Sequence, residues 1–162
     1  MRALVQRVLW AEVEVASQVV GRIERGLLVY LGVATTDTPA LAHRLAEKTA
    51  HLRIFEDQAG KLNRSVQETG GGILAISNFT LLADTAKGRR PAFCAAAGAL
   101  QAQPLYDAFV GQLKLMGCTV ACGVFRADMT IRSAADGPVN VIVDWPPLPQ
   151  PSPPASEAPP TP

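Results

Sequence analysis

The chain is expected to fold as one α+β domain, a mixed, curved β-sheet or partial barrel with two main helices packed on it. Three observations predict this. Apolar or alternating segments of strand length outnumber helical stripes. Several of those segments lie close enough together to link as hairpins. One run, Leu27 to Val33 (LLVYLGV), is almost wholly apolar, as expected of a strand buried on both faces. A length of 162 residues suits a single domain. Nine of the thirteen prolines lie at or after Pro146. The segment 146–162 has one charge, Glu157, and no apolar period, so it cannot offset its ordering entropy. It is read as a disordered, partly polyproline II tail, leaving a fold body of residues 1–145.

The elements follow in order. Ala3 to Val8 alternates as a strand, and Ala11 to Ala16 does so more cleanly, with Val13 and Val15 on one face and Glu12 and Glu14 on the other. Gly21 and Gly26 punctuate the next turns, before the Leu27–Val33 strand. A helix then starts, with Asp37 or Thr38 as its cap and Pro39 in its first turn. Leu41, Leu45 and Leu52 give it an apolar stripe. Asp57 to Gly60 reads as a turn, and Gly70-Gly71-Gly72 breaks the chain before an apolar strand, Ile73 to Ile76. A second helix, about Pro104 to Met116, stacks Leu105, Phe109 and Leu113, with Gly117 at its C-terminal cap. Strands near 119–125, 129–132 and 139–143 close the domain.

Composition removes several function classes. A net charge of +1 leaves no global attraction for nucleic acid, so any such contact must be local. No apolar run approaches the ~20 residues that span a bilayer, and the N-terminus lacks a signal-peptide pattern. Three cysteines with no export signal point to reduced thiols in the cytoplasm. His43 and His51, eight residues apart on one helix, point roughly 80° apart. Cys118 and Cys122 form no CxxC, so no metal site is expected. The glycines at 70–72 precede a strand without Gly-Lys-Ser/Thr and make no phosphate loop.

Two short stretches carry more information. Ser77-Asn78-Phe79-Thr80-Leu81 and Asp136-Gly137-Pro138-Val139 each sit where a strand gives way to a turn. Ser77 or Thr80 could serve as a nucleophile, but no G-x-S-x-G elbow is present and no histidine is near in sequence. The ordinary reading is a local hydrogen bond to backbone. Gly137-Pro138 could aim two carbonyl oxygens one way; the ordinary reading is a hairpin turn. Lys87, Arg89 and Arg90 form a short basic loop that would suit phosphate contacts, or simply a solvated one.

Together these pieces resemble the D-aminoacyl-tRNA deacylase family. The likeness runs through Gln6-Arg7-Val8, Gly26 to Val29, Arg53-Ile54-Phe55, Gly60 to Asn63, Ser77 to Leu81, Ala83-Asp84-Thr85, Lys87 to Pro91, Phe125, Ala127-Asp128-Met129 and Asp136 to Val139. The resemblance implies hydrolysis of the ester of D-aminoacyl-tRNA, with glycyl groups mischarged on tRNA(Ala) also accepted. It implies no metal or organic cofactor and no DNA or membrane partner. It implies a homodimer in which each site takes Ser77, Asn78, Phe79 and Thr80 from one subunit and a cis Gly137-Pro138 turn from the other. Backbone N–H groups near Phe79 and Thr80 would stabilise the oxyanion. Thr80 as nucleophile competes with a water assisted by the substrate's own 2′-hydroxyl, and the second is favoured. Met129, Phe125 and Arg7 join the substrate pocket, while Lys87, Arg89 and Arg90 face the tRNA. Rejecting an L-aminoacyl group by about 10⁴ takes about 5.5 kcal/mol, which steric exclusion can supply.

The chain departs from the family at three places. Asn78 stands where glutamine is usual, Ala135 where asparagine is usual, and Asn140 where threonine is usual. These changes bear on the rigidity of the turn and on strictness against L substrates. The competing readings are a tRNA 3′-end binding module with weakened catalysis and an interaction protein that uses its proline-rich tail.

Overall fold

The computed structural model describes residues 1–147; nearly all of the segment read as a disordered tail lies outside the described residues. In chain order the elements are β1 (Arg2–Val15), β2 (Gln18–Ile23), β3 (Gly26–Gly32), α1 (Pro39–Ala50), β4 (Phe55–Glu56), β5 (Leu62–Arg64), α2 (Val66–Thr69), β6 (Gly72–Ser77), a 3-10 turn (Phe79–Leu82), α3 (Ala99–Leu115), β7 (Thr119–Cys122) and β8 (Thr130–Asp144).

One mixed sheet of six strands organises the molecule. β1 pairs antiparallel with β3 over Arg2–Val8, with β2 over Ala11–Val15, and with β8 from Arg2 to Glu14. A strand has two hydrogen-bonding edges, so β2 and β3 share one edge of β1 and β8 takes the other. β6 extends β3 in parallel, and β7 extends β6 in parallel. β4 and β5 form a separate small hairpin around the Asp57–Gly60 turn. The sheet curls until β2 meets β7. A Cβ on Gly21 would stand 2.6 Å from the Cys122 carbonyl oxygen. That close approach, rather than a turn, is why glycine occupies position 21, which lies inside β2.

Curling gives the sheet two buried faces. Leu27, Val29 and Leu31 of β3 and Ile73 and Ala75 of β6 pack outward under α1 and α3. Leu28, Leu74 and Ile76 pack inward with Val8, Ala11, Val13 and Ile23. A strand whose side chains alternate between two cores reads as a continuous apolar run, which is how LLVYLGV announced itself.

Several boundaries differ from expectation, each for a physical reason. The two segments predicted on either side of Val8–Ala11 are one strand, β1, with register shifts opposite β8 between Gln6 and Trp10. The hairpin after it turns on Ala16 and Ser17, both left-handed (φ 48° and 63°), and contains no glycine to mark it. α1 is capped by Thr38, while Asp37 binds the Met1 ammonium at 2.7 Å and the Ala34 N–H at 2.6 Å. Its buried face is built mainly from Ala42, Leu45, Ala46, Thr49 and Ala50, and Leu52 lies beyond its end. α3 begins at Ala99, five residues before Pro104. The carbonyl that Pro104 leaves without an N–H belongs to Leu100, which is almost fully exposed, so water can satisfy it.

β8 is the largest correction. Two strands joined by a Gly137-Pro138 hairpin turn were expected. Instead a single strand runs through both residues. Gln6 pairs with Asn140 and Val8 with Ala135, so Asp136 to Val139 bulge out opposite Arg7 alone. No described helix is long and apolar enough to cross a membrane.

Candidate active site

A cavity of about 720 Å³ opens at the carboxyl ends of the parallel pair β3 and β6, the usual place for a ligand beside parallel strands. Leu31, Val33, Ile76 and Ser77 come from those strand ends, and Asn78, Phe79 and Thr80 from the turn that follows. Tyr106 of α3 and the segment Phe125 to Met129 supply the opposite wall. Of the sequence-predicted residues, the fold therefore brings together Ser77, Asn78, Phe79, Thr80, Phe125 and Met129. Met129 reaches its place across Gly123, where a Cβ would lie 2.5 Å from the Met129 sulfur.

The turn has a definite hydrogen-bond pattern. Asn78 is its N-cap, and its side-chain oxygen accepts from the Thr80 backbone N–H at 3.1 Å. The Thr80 hydroxyl donates to the same oxygen. The Asn78 N–H donates to the Leu31 carbonyl at 2.8 Å, tying the turn to β3. Thr80 thus has both donors occupied, and its hydroxyl faces an amide oxygen, which is no base. Of the two N–H groups expected to serve an oxyanion, only that of Phe79 makes no hydrogen bond among the described residues. Phe79 itself is 56% exposed and meets Phe93 edge to face, with ring centroids 5.0 Å apart.

Sequence reasoning missed Tyr106, Tyr30, Arg126 and Asp128, all of which line the cavity. Tyr106 is buried and donates to the Ala75 carbonyl at 2.9 Å. Burial, reinforced by neighbouring Cys122, pushes its phenol well above its ordinary range, so it acts only as a neutral donor. Its signal in the sequence was a polar-tipped aromatic next to Leu105 on the apolar face of α3. Burial likewise raises the Tyr30 phenol.

Gly137, Pro138 and Arg7 do not line this cavity. The Gly137–Pro138 peptide is cis and both residues are exposed on the β8 bulge. Arg7 is 4% exposed, beneath that bulge. Its guanidinium donates to the Ile54 carbonyl at 2.6 Å and to Asp136 Oδ1 at 3.4 Å, and its Nε lies 3.1 Å from Asp136 Oδ2. Arg25 stands 3.9 Å from the same carboxylate. Asp136 is thus the anchor of the bulge. Lys87, Arg89 and Arg90 are exposed on the loop after the 3-10 turn and lie outside the cavity. His43 and His51 are exposed on and just after α1, and Cys94, Cys118 and Cys122 are free. Among the described residues no three His, Cys, Asp or Glu side chains gather closely enough to hold a metal ion.

The comparisons with known proteins give the class of the protein, a hydrolase that acts on aminoacyl-tRNA. Residues 4–144 match the family model described as D-Tyr-tRNA(Tyr) deacylase, and the chain belongs to that family. It is 51% identical over 145 residues to the D-aminoacyl-tRNA deacylase of Sorangium cellulosum, covering 89% of this chain and 97% of that protein. It is 52% identical over 146 residues to the D-aminoacyl-tRNA deacylase of Deinococcus deserti, covering 90% of this chain and all of that one. The solved structure of a c-Myc DNA unwinding element binding protein superposes with a TM-score of 0.85 at 35% identity, covering 89% of this chain and 98% of that one.

Proposed function

We propose that the chain clears D-aminoacyl groups, and glycyl groups mischarged on tRNA(Ala), from tRNA in the cytoplasm as a proofreading homodimer. We further propose that the Gly137-Pro138 bulge of one subunit enters the cavity of the other. The observation that carries this is an incomplete site. The cavity holds the Ser77–Thr80 turn but nothing from the bulge of its own chain. The bulge is exposed, and beyond it β8 presents the large apolar side chain of Ile142 to solvent. A second copy would complete both.

In that arrangement the two carbonyl oxygens of the bulge hold the substrate's ammonium and leave no room for a side chain of L configuration. The carbonyl oxygen of the ester points at the Phe79 N–H. One such donor contributes about 2.7–4 kcal/mol to the transition state. An aminoacyl ester is already activated, so a positioned water assisted by the 2′-hydroxyl of the terminal ribose can attack it. In this reading Thr80 positions the turn and the water route is favoured over attack by Thr80, whose hydroxyl lies against the Asn78 amide oxygen, a group that cannot serve as base. Exposed Phe79 offers a face on which the terminal base can stack, and Lys87, Arg89 and Arg90 take phosphates farther along the strand.

The test compares release of amino acid from D-tyrosyl-, L-tyrosyl- and glycyl-tRNA by the purified protein. Hydrolysis of the D ester with the L ester spared by about 10⁴ is expected. Tight tRNA binding without turnover would favour the binding-module reading instead. Equal cleavage of both enantiomers would reject the steric account.

A further inference from the structure

Arg126 is the one charged residue of the cavity held in an unfavourable backbone conformation. It occupies the third position of the turn Val124 to Ala127, closed by the Ala127 N–H on the Val124 carbonyl at 3.2 Å. Its φ is 65°, a left-handed value at which glycine or asparagine is the ordinary occupant. A long β-carbon-bearing cation there weakens the turn relative to glycine. Strain of this kind persists where the side chain serves a site.

Its partners point the same way. Arg2, Arg7, Arg22, Arg25, Arg44 and Arg132 each have a carboxylate within 4 Å. Arg53, Arg64, Arg89, Arg90 and Arg126 have none among the described residues; of these only Arg126 lines the cavity beside Phe79 and Thr80, and its side chain makes no hydrogen bond among the described residues. It is exposed, yet it lines the same cavity as Phe79 and Thr80. A planar fork of donors without an internal acceptor, beside the place where an RNA end is bound, is suited to a phosphate.

We propose that Arg126 is a substrate-binding residue that engages the phosphodiester next to the 3′-terminal nucleotide of the tRNA. The proposal rests on the deacylase reading above and deepens it. It places one cation at the cavity itself, apart from the Lys87–Arg90 loop.

The experiment compares wild type with Arg126→Gly and Arg126→Lys on D-tyrosyl-tRNA and D-aspartyl-tRNA over a series of salt concentrations, with Tm measured on each protein. Glycine suits the left-handed turn, so Tm is expected to stay level or rise in Arg126→Gly. KM is expected to rise about tenfold on both substrates, the worth of a charge-assisted hydrogen bond, with kcat little changed. The slope of log kcat/KM against log salt should become shallower by about 0.7, one phosphate on a single strand. Arg126→Lys should keep most of the salt slope and recover part of the KM.

An unchanged KM and salt slope in Arg126→Gly, with wild type active, overturns the proposal. So does a rise confined to D-aspartyl-tRNA, which would mean that Arg126 reads the amino-acid side chain. A wild type that hydrolyses neither substrate sinks the deacylase reading. The same salt series, measured as binding of uncharged tRNA, then still decides the phosphate contact.

Discussion

Asn78 decides what the neighbouring Thr80 can do. Its amide oxygen takes both the backbone and the side-chain donor of Thr80, so Asn78 caps the turn and, among the described residues, the Thr80 hydroxyl meets no group that could serve as its base. This favours the route through a water over the route through a covalent intermediate. Thr80→Ala should therefore lose no more than about tenfold in single-turnover hydrolysis of D-tyrosyl-tRNA, whereas deleting a true nucleophile costs on the order of 10⁶. A loss near the larger figure would restore Thr80 to the nucleophile's role. The shorter side chain of asparagine, compared with the glutamine usual in the family, suits this local capture, because an Asx side chain bonds the backbone two residues on.

Elements in this fold are set by caps and anchors as much as by apolar period. α2 is a single helical turn that the hydrophobic pattern did not reveal, yet Ser65-Val66-Gln67-Glu68 is a capping box. Glu68 accepts from the Ser65 N–H at 2.6 Å and from its hydroxyl at 2.8 Å. The Ser65 backbone bond and then its hydroxyl bond hold the Glu68 carboxyl below its ordinary value of 4.5. Because the folded value is depressed, the unfolded chain binds the proton more readily. The stabilisation is complete above about pH 4.5 and disappears as pH falls through the folded value. Wild type should thus lose Tm more steeply than Glu68→Gln as pH drops below about 4.5, and parallel melting curves would contradict the linkage. The same logic of anchoring applies to β8, where Arg7 and Arg25 grip Asp136 and hold the bulge off the ladder.

At the scale of the molecule, the cavity and the bulge belong to different regions of one chain, and in the proposed dimer they meet between two copies. Gly137 has φ 114°, and a Cβ there would lie 2.9 Å from Val139 Cγ2 and 3.0 Å from the Val139 nitrogen. Gly137→Ala should therefore displace the bulge and lower kcat/KM on D-tyrosyl-tRNA by at least about 100-fold, in line with a misplaced positioning group. Tm should fall by only a few degrees, because the bulge is exposed. Light scattering should give the mass of two chains for the wild type. A monomer with full activity would leave the cross-subunit site without support.

Patterns that depend only on neighbouring residues were legible in the sequence by itself. The two-faced strand at LLVYLGV, the buried stripe of α3, the turn at Asp57–Gly60, and the Ser77–Leu81 and Asp136–Val139 motifs that mark the family all belong there, because hydrophobic period and turn chemistry are local. Tertiary structure alone decided that β8 runs unbroken through Gly137-Pro138, since only its pairing with β1 shows Asp136 to Val139 facing Arg7. It alone brought Tyr106 and Arg126 to the wall opposite Thr80. Those outcomes depend on strand register and loop closure between residues far apart along the chain, and no local pattern encodes where such residues converge.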